Sequence, residues 1–289
     1  MTSLAQDFID TREVGAAKVT IVSEGGLRWA PRFSVPDTDW LAAAPDADDE
    51  GRVPLGLNSA IIQLGNAIVL LDPCLDDAGS AASDGFLSAF TDTYRTAGRP
   101  AALQQLGIDP SDVALVIITH THDDHLTGIT ETIDGEDRPR FPNARYLVGA
   151  ADCAQNLDSQ APVEAQAARC LRVVDRAGLL ERVDHEVEPL PGLTVIPAPG
   201  ESPGHQIVRL QSNGETFFYV GDLLHHAAEV EHPTWVSPYR DNQAMIQSRR
   251  RLLEEAAGSG ALVVFTHAQF PGWGRIARAG DGFRWEWVS

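Results

Sequence analysis

The run Val113-Ala114-Leu115-Val116-Ile117-Ile118-Thr119-His120-Thr121-His122-Asp123-Asp124-His125 joins two kinds of sequence with no linker between them. Its first six residues are apolar and rich in β-branched side chains, which reads as a strand covered on both faces. Three imidazoles and two carboxylates follow at once. Burying several titratable groups at a strand end is costly unless something compensates them, and a divalent metal ion is the usual partner. His120 and His122, two apart in extended chain, point the same way and can share one ion. Asp124 and His125 follow as the chain turns and can reach a second ion beside the first. Imidazole and carboxylate donors suit zinc, manganese, cobalt or iron.

This H-x-H-x-D-H run resembles the signature of the metallo-β-lactamase superfamily, and the chain can be searched for that family's other ligands. Ser202-Pro203-Gly204-His205-Gln206 supplies a histidine after glycine. Phe217-Phe218-Tyr219-Val220-Gly221-Asp222 is an apolar strand ending in an aspartate, and Val263-Val264-Phe265-Thr266-His267 is another ending in a histidine. The strand pair Asn58 to Leu64 and Ala67 to Leu71 runs into Asp72-Pro73-Cys74, where the family usually has an Asp-Thr-Gly turn. The resemblance covers the chain from about Val53 onward. It implies a four-layer αβ/βα sandwich of the α/β class and two divalent ions. One ion would be held by His120, His122 and His205, the other by Asp124, His125 and His267, with Asp222 bridging. Asp72 is expected to orient a ligand histidine. The implied chemistry is hydrolysis by a bridging hydroxide, since two ions about 3.5–4 Å apart activate water at neutral pH and polarise the bond attacked.

Two further segments narrow the resemblance. Gly221-Asp222-Leu223-Leu224-His225-His226-Ala227-Ala228 leads into Glu231-His232-Pro233, and His267-Ala268-Gln269-Phe270-Pro271-Gly272-Trp273-Gly274 comes later. Both look like the methyl parathion hydrolase-like group and its relatives, the N-acyl homoserine lactonases. Many lactonases carry a tyrosine three residues after the bridging aspartate, where this chain has His225. Asp124, as a ligand, and His225, as a donor to a developing oxyanion, are therefore the groups assigned to catalysis. Phe86, Phe270 and Trp273 are candidates for an apolar substrate pocket. A lactone or other ester is the expected small-molecule substrate, with an organophosphate triester as a side activity. A glyoxalase II-like thioesterase and a mononuclear iron dioxygenase are the alternatives within the same fold. A homodimer is expected by resemblance alone.

Composition is consistent with a globular enzyme and bears on what it does not bind. The 289 residues are 43% hydrophobic and 22% charged, enough for a sizeable core in a single domain. Its first 52 residues read as a strand followed by an ordered arm. The formal charge is −19, and Lys18 is the only lysine among 22 basic residues. That balance argues against nucleic acid, whose phosphates are held largely by Lys and Arg. No apolar run approaches the ~20 residues of a membrane span. The N-terminal residues lack a basic region followed by an apolar one, and Cys74, Cys153 and Cys170 are isolated from one another. A reducing, cytoplasmic setting is the expectation.

Local patterns outline the remaining elements. Lys18 to Ser23 reads as the first strand, and Trp29 to Gly51 as an arm that buries Trp29, Phe33 and Trp40. Phe86, Leu87, Phe90 and Tyr94 recur at helical spacing within the 75–98 segment, where they either pack in the core or line the mouth of the site. Ala161 to Ala177 predicts a helix ending before Gly178. Asp241 is placed to cap a helix through Met245, Arg249, Leu252 and Ala256, closed by Gly258, with the Arg249-Arg250-Arg251 run partly solvated. Leu193 to Ile196, Ile207 to Leu210, Thr216 to Val220 and Leu262 to Phe265 complete a second sheet.

Overall fold

A computed structural model describes residues 8–158 and 165–289. The apolar run is the strand Val113–Ile118, and both of its faces are covered. Leu115 and Ile117 enter one core, while Val116 and Ile118 enter another. It lies between Ala67–Leu71 and Arg145–Gly149, parallel to both. The sheet continues on one side through Val53–Leu64, Ala17–Trp29 and Ile9–Val14, and on the other to Leu180–Val183. Thr91–Arg95 pairs on the far part of Ala17–Trp29. A second sheet runs in the order Val187–Leu190, Leu193–Pro197, Gln206–Ser212, Glu215–Tyr219, Leu262–Val264, Gly274–Ala279 and Gly282–Trp287.

The alternation of side chains along strands builds the layers. Val19, Ile21, Ile62, Leu71, Leu115 and Ile117 of the first sheet meet Val195, Val208, Leu210, Phe217, Tyr219 and Val264 of the second. Helices Gly98–Leu106 and Gln166–Arg176 cover the outer face of the first sheet. Helix Asn242–Ser259 covers the outer face of the second through Met245, Leu252, Leu253 and Ala256. The result is the expected αβ/βα sandwich. No helix among the described residues is long and apolar enough to cross a membrane.

Several local expectations give way to tertiary context. The first strand is Ile9–Val14, and the segment from Lys18 to Ser23 lies inside the much longer strand Ala17–Trp29. That strand survives Glu24-Gly25-Gly26 through a bulge beside Gly25. Tyr94 belongs to a strand rather than to a helix with Phe86: the helix Ala81–Leu87 ends first, and Tyr94 pairs opposite Gly26. A Cβ on Gly25 would lie 2.1 Å from the Tyr94 carbonyl oxygen, so the glycine is what admits this pairing. The arm contains the short helix Asp37–Ala42, and Phe33 and Trp40 pack edge to face at 5.9 Å. Asp241 caps the helix as expected, its Oδ1 accepting from Ala244 N at 3.0 Å, but the left-handed closing residue is Gly260. Arg249 is buried on that helix while Arg250 and Arg251 are exposed. The helix read from Ala161 is Gln166–Arg176, with residues 161–164 outside the described ones.

Ile117 is fully buried between the sheets, one residue before the strand hands over to the histidine cluster. Ile117→Ala is expected to lower unfolding free energy by about 2–5 kcal/mol, read as a lower urea midpoint at unchanged slope. A change below about 0.5 kcal/mol would contradict the close packing between the sheets.

Candidate metal centre

The functional side chains follow from where the strands stop. Asp72 directly follows Leu71, Thr119 to His125 follow Ile118, Asp222 follows Tyr219 by three residues, and His267 follows Val264 by three. His205 precedes Gln206–Ser212, which runs antiparallel to Glu215–Tyr219 and so begins at that same edge. The two sheets therefore deliver their ligand loops to one rim. Gly221 fits there because a Cβ would lie 2.6 Å from Thr119 Oγ1, and its φ of +53° suits glycine.

The donor atoms converge in three overlapping groups, each with its atoms within 4.8 Å of one another: His120, His122, Glu201 and Asp222; Asp124, His125 and His267; and Asp222, His225 and His267. His120 Nε2 and His122 Nδ1 face each other at 2.7 Å. Asp222 stands at the centre. Its Oδ1 is 3.2 Å from Nε2 of both His125 and His267, and its Oδ2 is 3.2 Å from His225 Nε2 and 3.6 Å from His120 Nε2. Asp124 Oδ2 is 3.5 Å from His267 Nε2. His205 lies alongside, its ring 5.2 Å from that of His120, with Nε2 accepting the Asp222 backbone N–H at 3.2 Å. Glu201 joins the first group without having been singled out in the sequence.

Second partners aim the rings. His125 Nδ1 meets Asp72 Oδ2 at 2.8 Å, His205 Nδ1 donates to the Ala198 carbonyl at 3.1 Å, and His267 Nδ1 donates to the Gly56 carbonyl at 2.9 Å. A carbonyl only accepts, so the proton of His205 and of His267 sits on Nδ1 and the Nε2 lone pair faces inward. Asp72 also accepts from Thr119 N and Thr119 Oγ1, both at 2.7 Å. It therefore fixes the start of the ligand loop as well as His125.

The electrostatics fit a cation. Burial pushes His120 well below the usual imidazole range, aided by His125 and His122, so it is a neutral donor. Burial also lowers His205. Burial disfavours charge on Asp222 too, but His125, His267 and His225 outweigh it and hold its carboxyl well below the usual range. The same partnership, against burial, raises His125 and His267 and pushes His225 up to about 9. His125 Nε2 and Asp222 Oδ1 are nevertheless buried without a hydrogen-bond partner. Unpaired nitrogen and oxygen atoms that converge in this way match what a divalent ion requires. All three cysteines are free and buried and belong to none of these donor groups.

Three supporting groups carry no sequence signal, because each is a lone polar residue whose partner is distant in the chain. Asp152 accepts from Thr121 N at 3.2 Å, Ser202 Oγ at 2.7 Å and Gly204 N at 2.6 Å, tying the two histidine loops together. Asn58 donates to the Thr266 and Ala268 carbonyls on either side of His267. Glu229 accepts from the backbone N–H groups of His225 and His226, and Arg249 meets it at 2.5 Å with both side chains 1% exposed. That partner is why Arg249 is buried.

A cavity of about 400 Å³ opens above these groups. Leu27, Trp29, Leu55, Phe86 and Phe90 form an apolar side, and His122, Asp124, Asp222, His225 and His267 the polar floor. His225 stacks on Trp29 at 5.4 Å and on His267 at 5.5 Å. Of the three aromatics expected around a substrate, only Phe86 lines this cavity. Phe270 and Trp273 border a separate cavity with Asp46 and His226. Trp273 is buried, packs on Phe217 and donates from Nε1 to Asp10 at 2.6 Å, so its position answers to the core. Trp29 and Phe90 take the places expected of Phe270 and Trp273. Phe90 belongs to the helical-spacing stripe for which the mouth of the site is one of the two expected places, whereas the sequence marks Trp29 only as an aromatic of the arm.

Comparison with known proteins agrees with this architecture. A sequence profile described as the metallo-beta-lactamase superfamily matches residues 52–267. N-acyl homoserine lactonase AttM of Azorhizobium caulinodans is 30% identical over 181 residues, covering 59% of this chain; the match spans 64% of that relative's length. The hydrolase AbOPH superposes with a TM-score of 0.79 at 21% identity over 98% of both chains. AidC, a dizinc quorum-quenching lactonase, superposes with a TM-score of 0.76 at 19% identity, over 98% of this chain and 99% of its own. A probable metal-dependent hydrolase from Staphylococcus aureus gives 0.80 at 19% identity, over 96% and 99%. At such identities the three structures speak to the shared fold, while the profile covers most of the chain and includes every histidine and aspartate of the cluster. The chain belongs to the metallo-beta-lactamase superfamily.

Proposed function

We propose that this protein is a dinuclear metal-dependent hydrolase that opens a lactone or cleaves a related carboxylic ester, with aryl phosphotriesters as a secondary substrate. The observation that carries the reading is the set of nitrogen and oxygen donors gathered around Asp222 beneath a cavity with one apolar side. His120, His122 and His205 would hold one ion and Asp124, His125 and His267 the other, with Asp222 between them. Zinc is the first choice of metal. When bound, such ions lower the pKa of water towards about 7 and polarise the group that is attacked. The lactonase part of the reading is supported by the names of AttM and AidC.

The chain's own residues supply binding and orientation. Leu27, Trp29, Leu55, Phe86 and Phe90 exclude water and receive an acyl chain or aryl group. His225, stacked between Trp29 and His267, faces the cavity with Nε2 3.2 Å from Asp222. From there it donates a hydrogen bond to the acyl oxygen as that oxygen gains charge, the part a tyrosine plays in related lactonases. Glu229, gripping the backbone of His225 and His226, keeps that ring in place.

The deciding experiment pairs bound-metal stoichiometry with initial rates on an acyl homoserine lactone and an aryl phosphotriester. Two ions per chain with faster lactone opening is the expected result. Faster phosphotriester cleavage would reverse the order of substrates, and turnover of glutathione thioesters alone would favour a thioesterase. One iron with no hydrolysis would remove the proposal in favour of oxygen chemistry. His122→Ala and His267→Ala are each expected to cut turnover by orders of magnitude and to lower metal content, which elemental analysis checks. Asp72→Ala is expected to weaken metal binding about 10–100-fold in a chelator competition. His225→Phe should reduce kcat while metal content stays near two; a loss of metal would make His225 a ligand instead.

A further inference from the structure

We propose that Glu201 is an additional ligand of the first metal site and that Arg240 holds its carboxylate in position. The inference rests on the reading of the cluster as a divalent-metal centre. Glu201 is 4% exposed, and its donor oxygen lies within 4.8 Å of those of His120, His122 and Asp222. Glu201 Oε1 is 3.5 Å from His122 Nδ1, the nitrogen turned towards His120 Nε2. Arg240 Nη2 approaches that oxygen at 2.5 Å as an ion pair, yet Oε1 has no partner with hydrogen-bond geometry. A carboxylate this far out of water calls for a cation. Arg240, with 31% of its side chain exposed, supplies part of that charge from the solvent side. The interior side faces the histidines.

The backbone that carries Glu201 is fixed independently. Gly200 N donates to the Ser202 carbonyl at 3.1 Å, Asp241 N donates to the Gly200 carbonyl at 3.2 Å, and Ala198 N donates to the His205 carbonyl at 2.8 Å. A Cβ on Gly200 would lie 2.4 Å from Met245 Cα, so the loop is pressed against the helix Asn242–Ser259. His205 comes from the same loop, with its Nε2 beside the Asp222 N–H. Glu201 adds a second donor from that loop, one that faces the His120–His122 pair. The added oxygen donor makes the first site harder than three imidazoles alone, a change that favours manganese or iron relative to zinc.

The test is a Co²⁺ titration of the metal-free full chain, followed by visible absorption and by competition with a chelator, for wild type, Glu201→Gln and Glu201→Asp. Glu201→Gln is expected to bind one of two Co²⁺ ions more weakly by more than the ~10- to 100-fold that losing an outer-shell partner costs and to shift the ligand-field bands, while the apo circular dichroism stays unchanged. Two wild-type affinities with an unshifted spectrum would overturn the assignment of Glu201 and leave the metal centre standing. A wild-type protein that takes up no Co²⁺ would overturn the metal reading itself. Should Glu201→Gln not fold, Glu201→Asp reads the same question. Its shorter arm is expected to weaken one ion and shift the bands, and unchanged affinity and bands would again reject the assignment.

Discussion

The charge buried at the shared rim of the two sheets is the constraint on which the rest of the structure depends. Asp222 brings one carboxylate among His120, His125, His225 and His267, and Asp72, Asp124 and Glu201 bring others into nearly dry surroundings. Coulomb attraction among the groups offsets part of the desolvation cost, but unpaired atoms remain on His125 and Asp222. The loops can hold such a cluster only because strands on both sides end together, so the sandwich architecture and the cluster are one arrangement seen at two scales.

Around that cluster, rigidity comes from groups that never face the cavity. Asp72 binds Thr119 and His125, the Ala198 and Gly56 carbonyls bind His205 and His267, and Asp152 joins the loops bearing His122 and His205. The buried Glu229–Arg249 pair ties the His225 loop to the helix behind the second sheet. Breaking a buried pair leaves a lone charge at a cost of several kcal/mol, which makes this connection stiff even where it adds little net stability. Each donor thus reaches the centre with its direction already set.

The fold was legible because Val113–Ile118 and the other apolar strands are continuous runs that end in ligand residues. The H-x-H-x-D-H spacing marks the donors of one loop, and the resemblance that it carries is what points to His205, Asp222 and His267. What spacing cannot carry is pairing across long separations. Glu201, Asp152 and Glu229 look like ordinary surface acids until Arg240, Gly204 and Arg249 meet them. Tyr94 fits a helical stripe with Phe86 and Phe90, yet Gly25 and Gly26 offer it a strand to join. Trp273 read as a pocket aromatic from its place after His267, but the chain turns it into the core beneath Phe217. In each case the deciding neighbour lies elsewhere in the sequence.

Lys18 sits exposed near the start of Ala17–Trp29, opposite Gln63, whereas the ligand loops leave that sheet beyond Leu71 and Ile118 at the other end of its strands. With no second lysine in the chain, Lys18 is the one side chain that an amine-reactive tether can take besides the α-amino group, and it is remote from the cavity mouth. Immobilised through that point, the protein would present its rim to solution in one orientation.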